Sequence, residues 1–140
     1  MVTYTNIFKT RFVDPFWAIL KGEMSIFISM DNEFIERGSQ WFNLTPISDE
    51  GDSMRSGGTH RIYTVGLRYY RSWKSERDRN WYNEMTIMGE RVKRLIGNSS
   101  NTSNWHDMQV DINYNPDRDE IPTDWAIIDF IITFRIEEVW

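Results

Sequence analysis

Cysteine is absent from this chain of 140 residues, and there are only two histidines, His60 and His106. Without cysteine the fold can contain neither a disulfide nor a thiolate metal site, and nothing ties the chain to an oxidising compartment. A zinc site would have to gather its ligands from scattered positions, because the two histidines are far apart in the sequence. We therefore expect no metal and no cofactor, and synthesis in the cytoplasm is the simplest expectation.

Long apolar segments are also missing. No stretch approaches the about 20 apolar residues that a membrane-spanning helix needs. The first residues do not combine a basic segment with a following apolar segment, as a secretion signal does. We therefore expect neither export by a standard signal nor insertion into a membrane.

Positive charge is scarce, and the formal net charge is −5. A protein that wraps nucleic acid needs clustered lysines and arginines, so general binding to DNA is disfavoured. One local exception is a basic run, which either contacts an anion or nucleic acid or forms a solvated face. Its members are Arg68, Arg71, Lys74, Arg77 and Arg79.

Apolar side chains are plentiful, at 40% of the chain, and aromatic residues make up 15%. A chain of this length buries roughly two thirds of its unfolded surface, which is enough for one core and one domain over residues 1–140. The aromatic rings belong either to that core or to contacts between proteins, and the composition leaves both open.

Two strand patterns, at residues 59–70 and 124–140, enclose one helix pattern. Alternation places Tyr63, Val65 and Leu67 on one face of the first strand and Phe130 and Ile132 on one face of the last. Shorter strands are predicted at 24–30, 40–44 and 109–114. The fold class is thus α+β, with a mainly antiparallel or mixed sheet of about four to five strands. It packs against one long amphipathic helix and a broken N-terminal helix.

The predicted boundaries follow from capping and turn residues. The long helix is expected to begin near Ser75, which with Asp78 resembles a capping box, and to end at Gly97 in a left-handed cap. The N-terminal helix is expected to be interrupted at Asp14 and Pro15 and to be followed by a short second helical turn, with Asp14 as its cap and Pro15 at its first position. Residues 45–58 and 115–123 are rich in turn formers and are predicted as loops.

Catalytic motifs are weak. The acidic residues Asp49, Glu50 and Asp52 lack the ligand spacing of a calcium loop. The sequence Ser-Gly-Gly-Thr at 56–59 lacks the lysine and the preceding strand of a phosphate loop. His106 next to Asp107 is more typical of a polar loop than of a catalytic relay. We therefore expect no enzymatic activity.

The order of elements resembles the tail terminator proteins of tailed bacteriophages, over residues 61–67, 81–96 and 125–136. The resemblance implies a structural virion protein that forms a homo-oligomeric ring, commonly a hexamer. Such a ring caps the tail tube and joins it to the head–tail connector proteins of the neck, so tube protein, connector proteins and further copies are the implied partners. A connector or adaptor subunit is the near alternative. A cytoplasmic module that binds single-stranded nucleic acid through aromatic rings and the basic run is the rival from another class.

Candidate interface residues follow from the resemblance together with the surplus of rings and charged loops. The loops at 45–58 and 115–123 would contact neighbouring rings. The candidates are Trp41, Phe42, Asp49, Glu50, Asp52, Arg68, Tyr70, Arg71, Trp73, Asp117, Arg118, Asp119, Glu120 and Trp140.

Overall fold

Five strands and two helical segments make up the α+β fold in the computed structural model, which describes residues 1–55, 58–72, 80–117, 121–122 and 124–139. The helical segments are a π-helical turn, Phe8–Val13, continued by α1, Asp14–Met24, and then α2, Asn80–Asn98. The strands are β1 Ile28–Ser29, β2 Gln40–Arg55, β3 Gly58–Ser72, β4 His106–Asn113 and β5 Trp125–Val139. Their order in the sheet is β1-β2-β3-β5-β4, and only the β1–β2 pair is parallel.

Both helical segments contribute to a core on one face of the sheet. The predicted inner residues of β3 and β5 are buried there, which confirms the alternation in both strands. Phe12 of the first segment stacks on Phe134 of β5 with ring centroids 4.3 Å apart. Each fully buried large apolar side chain contributes about 1.5–3 kcal/mol to stability. The helical side chains in this core are Phe12, Val13, Phe16, Leu20, Met24, Met85, Met88, Val92 and Ile96.

The predicted loop at residues 45–58 is wrong, because β2 continues to Arg55 and pairs with β3 along its length. The turn formers that indicated a loop lie at two register shifts, between Pro46 and Ser48 and between Gly51 and Ser53. A bulge accommodates an extra residue and breaks the alternation without ending the ladder. The outer strand of a sheet also tolerates polar residues and proline.

The predicted interruption of the N-terminal helix is confirmed in part, because α1 begins at Asp14 with Pro15 in its first turn, but the chain does not leave the helical backbone there. Val13 and Asp14 both have right-handed helical backbone angles, and the π-helical turn runs directly into α1. Pro15 lies in the first turn of α1, so its missing N–H falls where the hydrogen bonds change from the π-helical to the α-helical pattern. The backbone N–H of Asp14 donates to the Lys9 carbonyl, five residues earlier.

Three other boundaries differ from the sequence-based predictions. Only Ile28–Ser29 of the predicted strand at 24–30 is a strand, because α1 extends to Met24 and Ser25 ends it with a φ of 55°. Gly97 is not a left-handed cap, since α2 continues through it to Asn98. β4 begins at His106, before the predicted position 109. The expected helix start at Ser75 and Asp78 lies outside the described residues.

Candidate functional site

The sheet face opposite the helices, called here the open face, is the most distinctive surface of the molecule. Adjacent strands bring Arg68, Thr64 and Gly66 of β3 beside Asp129 and Ile131 of β5 on this face. These residues are only half-buried, whereas their sequence neighbours on the other face are buried. The open face therefore combines the rigidity of a central sheet with access from solvent.

The segment between β1 and β2 folds over one end of the open face and is anchored by Phe34. The Phe34 ring lies 5.3 Å from that of Tyr70 and 5.7 Å from that of Trp125, in edge-on contacts. Edge-on aromatic pairs contribute about 0.5–1.5 kcal/mol beyond the area they bury. The ring cluster that receives Phe34 comprises Trp41, Tyr70, Trp125 and Ile127, and Ile121 packs against it.

A hydrogen-bond network holds the start of the same segment. The Asn43 side-chain oxygen accepts from the Ser29 hydroxyl at 2.6 Å and from the Asp31 backbone N–H at 2.8 Å. The Asn43 amide nitrogen donates to the Asp31 carbonyl at 3.1 Å. Arg37 donates from two nitrogens to the Asp31 carboxylate, which holds the pKa of Asp31 below its usual range. These bonds position the segment relative to β2 in the absence of regular structure.

Between this segment and the strands lies a cavity of about 410 Å³, called here the open-face cavity. Its volume is within the range of about 300–1,000 Å³ that is typical of ligand pockets. Carboxylates and amides line it together with aliphatic side chains. The lining includes Asp31, Glu33, Phe34, Asn43, Ile47, Arg68, Ile121, Asp129 and Ile131.

An ion pair forms the base of the open-face cavity. Arg68 donates from Nε to Asp129 Oδ1 at 2.5 Å and from Nη2 to Oδ2 at 2.8 Å. The Asp129 carboxylate raises the pKa of Arg68 above its ordinary value, so the guanidinium stays charged at any physiological pH. Asp31 and Asp129 thus each form an ion pair with an arginine. Glu33 is exposed, and within the described residues no cation pairs with it.

Burial corrects the interface prediction for three aromatic residues. Trp41, Phe42 and Tyr70 are 1%, 0% and 5% exposed in the single chain. Phe42 belongs to the main core, and Trp41 stacks on Tyr70 in the smaller ring cluster. Their rings are therefore held within the subunit and offer almost no surface to a neighbour.

The charged candidates fall into three groups. Arg68 lies in the open-face cavity, and Arg71 pairs with Glu84 at 3.0 Å. Asp49 is exposed and pairs with Arg61 at 2.8 Å, and Glu50 and Asp117 are exposed. Asp52 lies in β2, but its side chain is outside the described part of the structure. The candidates Trp73, Arg118, Asp119, Glu120 and Trp140 are also outside the described residues.

Several residues of the site were not among the sequence-based candidates. Glu33 and Phe34 lie in a segment whose sequence has no regular period, and Asn43 lies in β2, so their convergence depends on tertiary contacts. Asp129 carried a usable signal, because it is an acidic residue on the polar side of an apolar strand. Pairing it with Arg68 requires the register of β3 against β5, which alternation alone does not fix.

Both edges of the sheet are poor templates for another strand. β1 pairs with β2 only at Phe42 and Asn43. In the described residues no other strand covers the outer edge of β2. Pro46, two bulges and the exposed Asp49 interrupt that edge. At the other edge β4 has a register shift after His106. Such features are typical of edges that resist pairing with another chain.

The described residues form neither a metal-binding cluster nor a membrane-spanning helix. These residues contain no cluster of three or more His, Asp or Glu side chains able to hold a metal ion. Within the same ranges no helix combines the length and the apolar character needed to cross a bilayer. No protein-family model matches the sequence, and no curated protein matches it either.

Proposed function

We propose that this chain is a structural virion protein of a tailed phage, a tail terminator subunit whose copies form a ring that closes the tail tube and joins it to the neck. The proposal starts from the resemblance in element order over residues 61–67, 81–96 and 125–136. A hexameric ring is the expected form. The protein acts by assembly and performs no catalytic step.

The observation that carries the proposal is the two-sided sheet. A subunit of a closed ring binds one neighbour with one surface and the other neighbour with a different surface. The open face, with its cavity, and the outer face of the helices are two such surfaces on opposite sides of one rigid sheet. The outer edges of β2 and β4 are interrupted and pair poorly with another strand. Contacts between subunits are therefore expected through the faces of the sheet, and not by continuing the sheet from one subunit to the next.

Charge supports the same arrangement. The two helical segments carry more basic than acidic residues, whereas the exposed charged residues on the open-face side of the strands are mainly acidic, with Glu50, Asp111 and Glu137 against Arg135. Opposite charge on the two surfaces favours contact between different faces and disfavours contact between like faces. The basic members of the helices are Lys9, Arg11, Lys21, Arg91, Lys93 and Arg94, and the acidic members are Asp14, Glu23, Glu84 and Glu90.

The nucleic-acid alternative has less support. Of the basic run, Arg68 and Arg71 are described, and each pairs with a carboxylate, Asp129 and Glu84 respectively. An arginine already held by a carboxylate is less available to phosphate. The connector alternative shares the ring architecture and differs only in which neighbour is bound.

Electron microscopy of polymerising tail tube protein from the same virion tests the proposed role. With the chain added, we expect short tubes that carry a ring at one end, and without it tubes of unrestricted length. Rings that bind the connector protein and leave tube growth unchanged would favour the connector role. Salt-sensitive binding to a single-stranded oligonucleotide, with no effect on tubes, would contradict both virion roles.

A further inference from the structure

The outer surface of α2 carries a stripe of three exposed residues. Ile87, Arg91 and Arg94 are spaced by four and three positions, so they lie on one face of the helix. The buried residues Met85 and Val92 lie on the opposite face. Ile87 is 48% exposed, and the Arg94 side chain is 81% exposed. We call these three residues the α2 stripe.

The two arginines of the α2 stripe are weakly held within the chain. Arg94 Nε lies 3.7 Å from Glu90 Oε2 on an exposed surface, and such pairs contribute about 0–1 kcal/mol. Arg91 donates to the Glu23 carbonyl at 3.4 Å, at the long limit for a hydrogen bond. Both guanidinium groups can therefore leave these contacts and pair with a carboxylate of another chain at a small cost in free energy.

The open-face cavity has the complementary chemistry. Glu33 at its rim is an exposed carboxylate without a cation among the described residues, and the Asn43 and Thr45 side chains add polar groups nearby. Ile47, which is 55% exposed, lies beside Ile131 and offers an apolar contact for an aliphatic side chain. A cavity of about 410 Å³ admits a long side chain from outside.

We propose that the α2 stripe of one copy docks into the open-face cavity of the next, with Arg94 beside Glu33 and Ile87 against Ile47. The two surfaces lie on opposite faces of one sheet, so a single chain cannot satisfy its own pair. A contact of this head-to-tail kind closes into a ring when the rotation between copies permits. This inference rests on the proposed ring and assigns the contact that forms it.

The absence of cysteine makes a direct test possible. The double variant Glu33→Cys with Arg94→Cys should, under mild oxidation, give a ladder of covalent oligomers that ends at the ring size and is reversed by reductant. Each single variant can yield at most a covalent dimer, because it has one thiol per chain. The matched control pair is Asp111→Cys with Lys93→Cys, which lie on the same two faces outside the proposed contact, and we expect no ladder from it.

Charge reversal gives a second measurement. Glu33→Lys or Arg94→Glu alone should weaken assembly by about tenfold or more, because each places like charges together. The combination of both should restore assembly, whereas Asp111→Lys and Lys93→Glu should leave it unchanged. Both proposed positions are exposed, so circular dichroism should show an unchanged fold in every variant.

The outcomes separate the two proposals. If the natural chain forms a ring but the cysteine pair gives no ladder and the reversals have no effect, the ring role stands and the assigned contact is overturned. If the natural chain stays monomeric at high concentration, the ring role fails together with this contact. A different protein that shields the thiol of the Glu33→Cys variant from alkylation, while the double variant gives no ladder, would assign the cavity to that partner and overturn the inference.

Discussion

Gly89, inside α2, lies directly against Tyr114, just after β4. A Cβ on Gly89 would overlap the Tyr114 hydroxyl oxygen and lie 2.8 Å from the ring carbon Cζ. The missing side chain therefore lets the helix approach the end of β4 closely, which explains a glycine in the middle of a helix where alanine is intrinsically favoured.

Gly89→Ala should destabilise the protein, although helix propensity alone predicts the opposite. Overpacking of this kind costs about 1–3 kcal/mol, against a propensity gain of about 1 kcal/mol. Urea denaturation measures the difference. Gly97→Ala is the matched control, since nothing lies within 4 Å of its Cβ position. Tyr114→Ala in the Gly89→Ala background should recover stability, and an additive loss in that double variant would refute the steric explanation.

The Arg68–Asp129 pair should matter most when only one partner is removed. Both side chains are only partly accessible to solvent, at 29% and 22% exposed, so Asp129→Ala leaves a half-buried guanidinium without its counter-charge. We expect a loss of about 1–3 kcal/mol in unfolding free energy, and a much smaller loss when Arg68→Met is added. Equal losses in the single and the double variant would contradict this reading of the pair.

Phe34 should control the segment that encloses the open-face cavity. Phe34→Ala removes ring contacts to Trp41, Tyr70 and Trp125, and we expect a loss of about 2–4 kcal/mol together with a red shift of tryptophan fluorescence. Phe27, which is 48% exposed, provides the control substitution to alanine, with little expected change. An unshifted emission maximum in Phe34→Ala would mean that this ring does not shield the indoles.

Stability should fall at alkaline pH. Burial is the main cause that raises the pKa values of Tyr63, Tyr69 and Tyr70 above 10.0, so these phenols stay protonated in the folded state. In the unfolded chain these phenols lose their protons near pH 10. Their contribution to the free energy of unfolding is therefore complete below pH 10 and is lost as the pH rises above it. Each such phenol lowers the free energy of unfolding by about 1.4 kcal/mol per pH unit above pH 10, as long as it stays protonated in the folded state.

Urea denaturation between pH 8 and pH 11 checks this expectation. Tyr63→Phe should lower stability at pH 8, because the Tyr63 hydroxyl donates to Glu138 Oε1 at 2.8 Å. The same variant should lose stability less steeply above pH 10. A slope equal to that of the natural chain would show that Tyr63 titrates normally in the folded state.

Regular spacing of apolar residues in the sequence predicted the strands and the helix that bury one face. The inner faces of β3 and β5 and the buried side of α2, with Met85, Met88 and Val92, follow from spacing, because one buried face imposes a regular pattern. The extension of β2 to Arg55 could not be predicted in this way, since Pro46 and two bulges remove the alternation. Asp14 and Pro15 likewise indicated a gap before α1, whereas a π-helical turn continues directly into it.

The candidate site was less accessible from sequence. Trp41 and Tyr70 indicated an interface by composition alone, but Phe34 covers them from a segment without periodic structure. The open-face cavity arises from the meeting of that segment with β2, β3 and β5, and such tertiary convergence leaves no local pattern. Arg68 was identified as a charged candidate, while its partner Asp129 became evident only with the strand register.

Native mass spectrometry of the purified chain measures whether its copies close into a ring. We expect one dominant closed assembly, with a mass six times that of the 16.8 kDa subunit, which dissociates as salt weakens the contacts between opposite charges. A single species of 16.8 kDa, unchanged from micromolar to millimolar concentration and at low salt, would contradict the proposed ring.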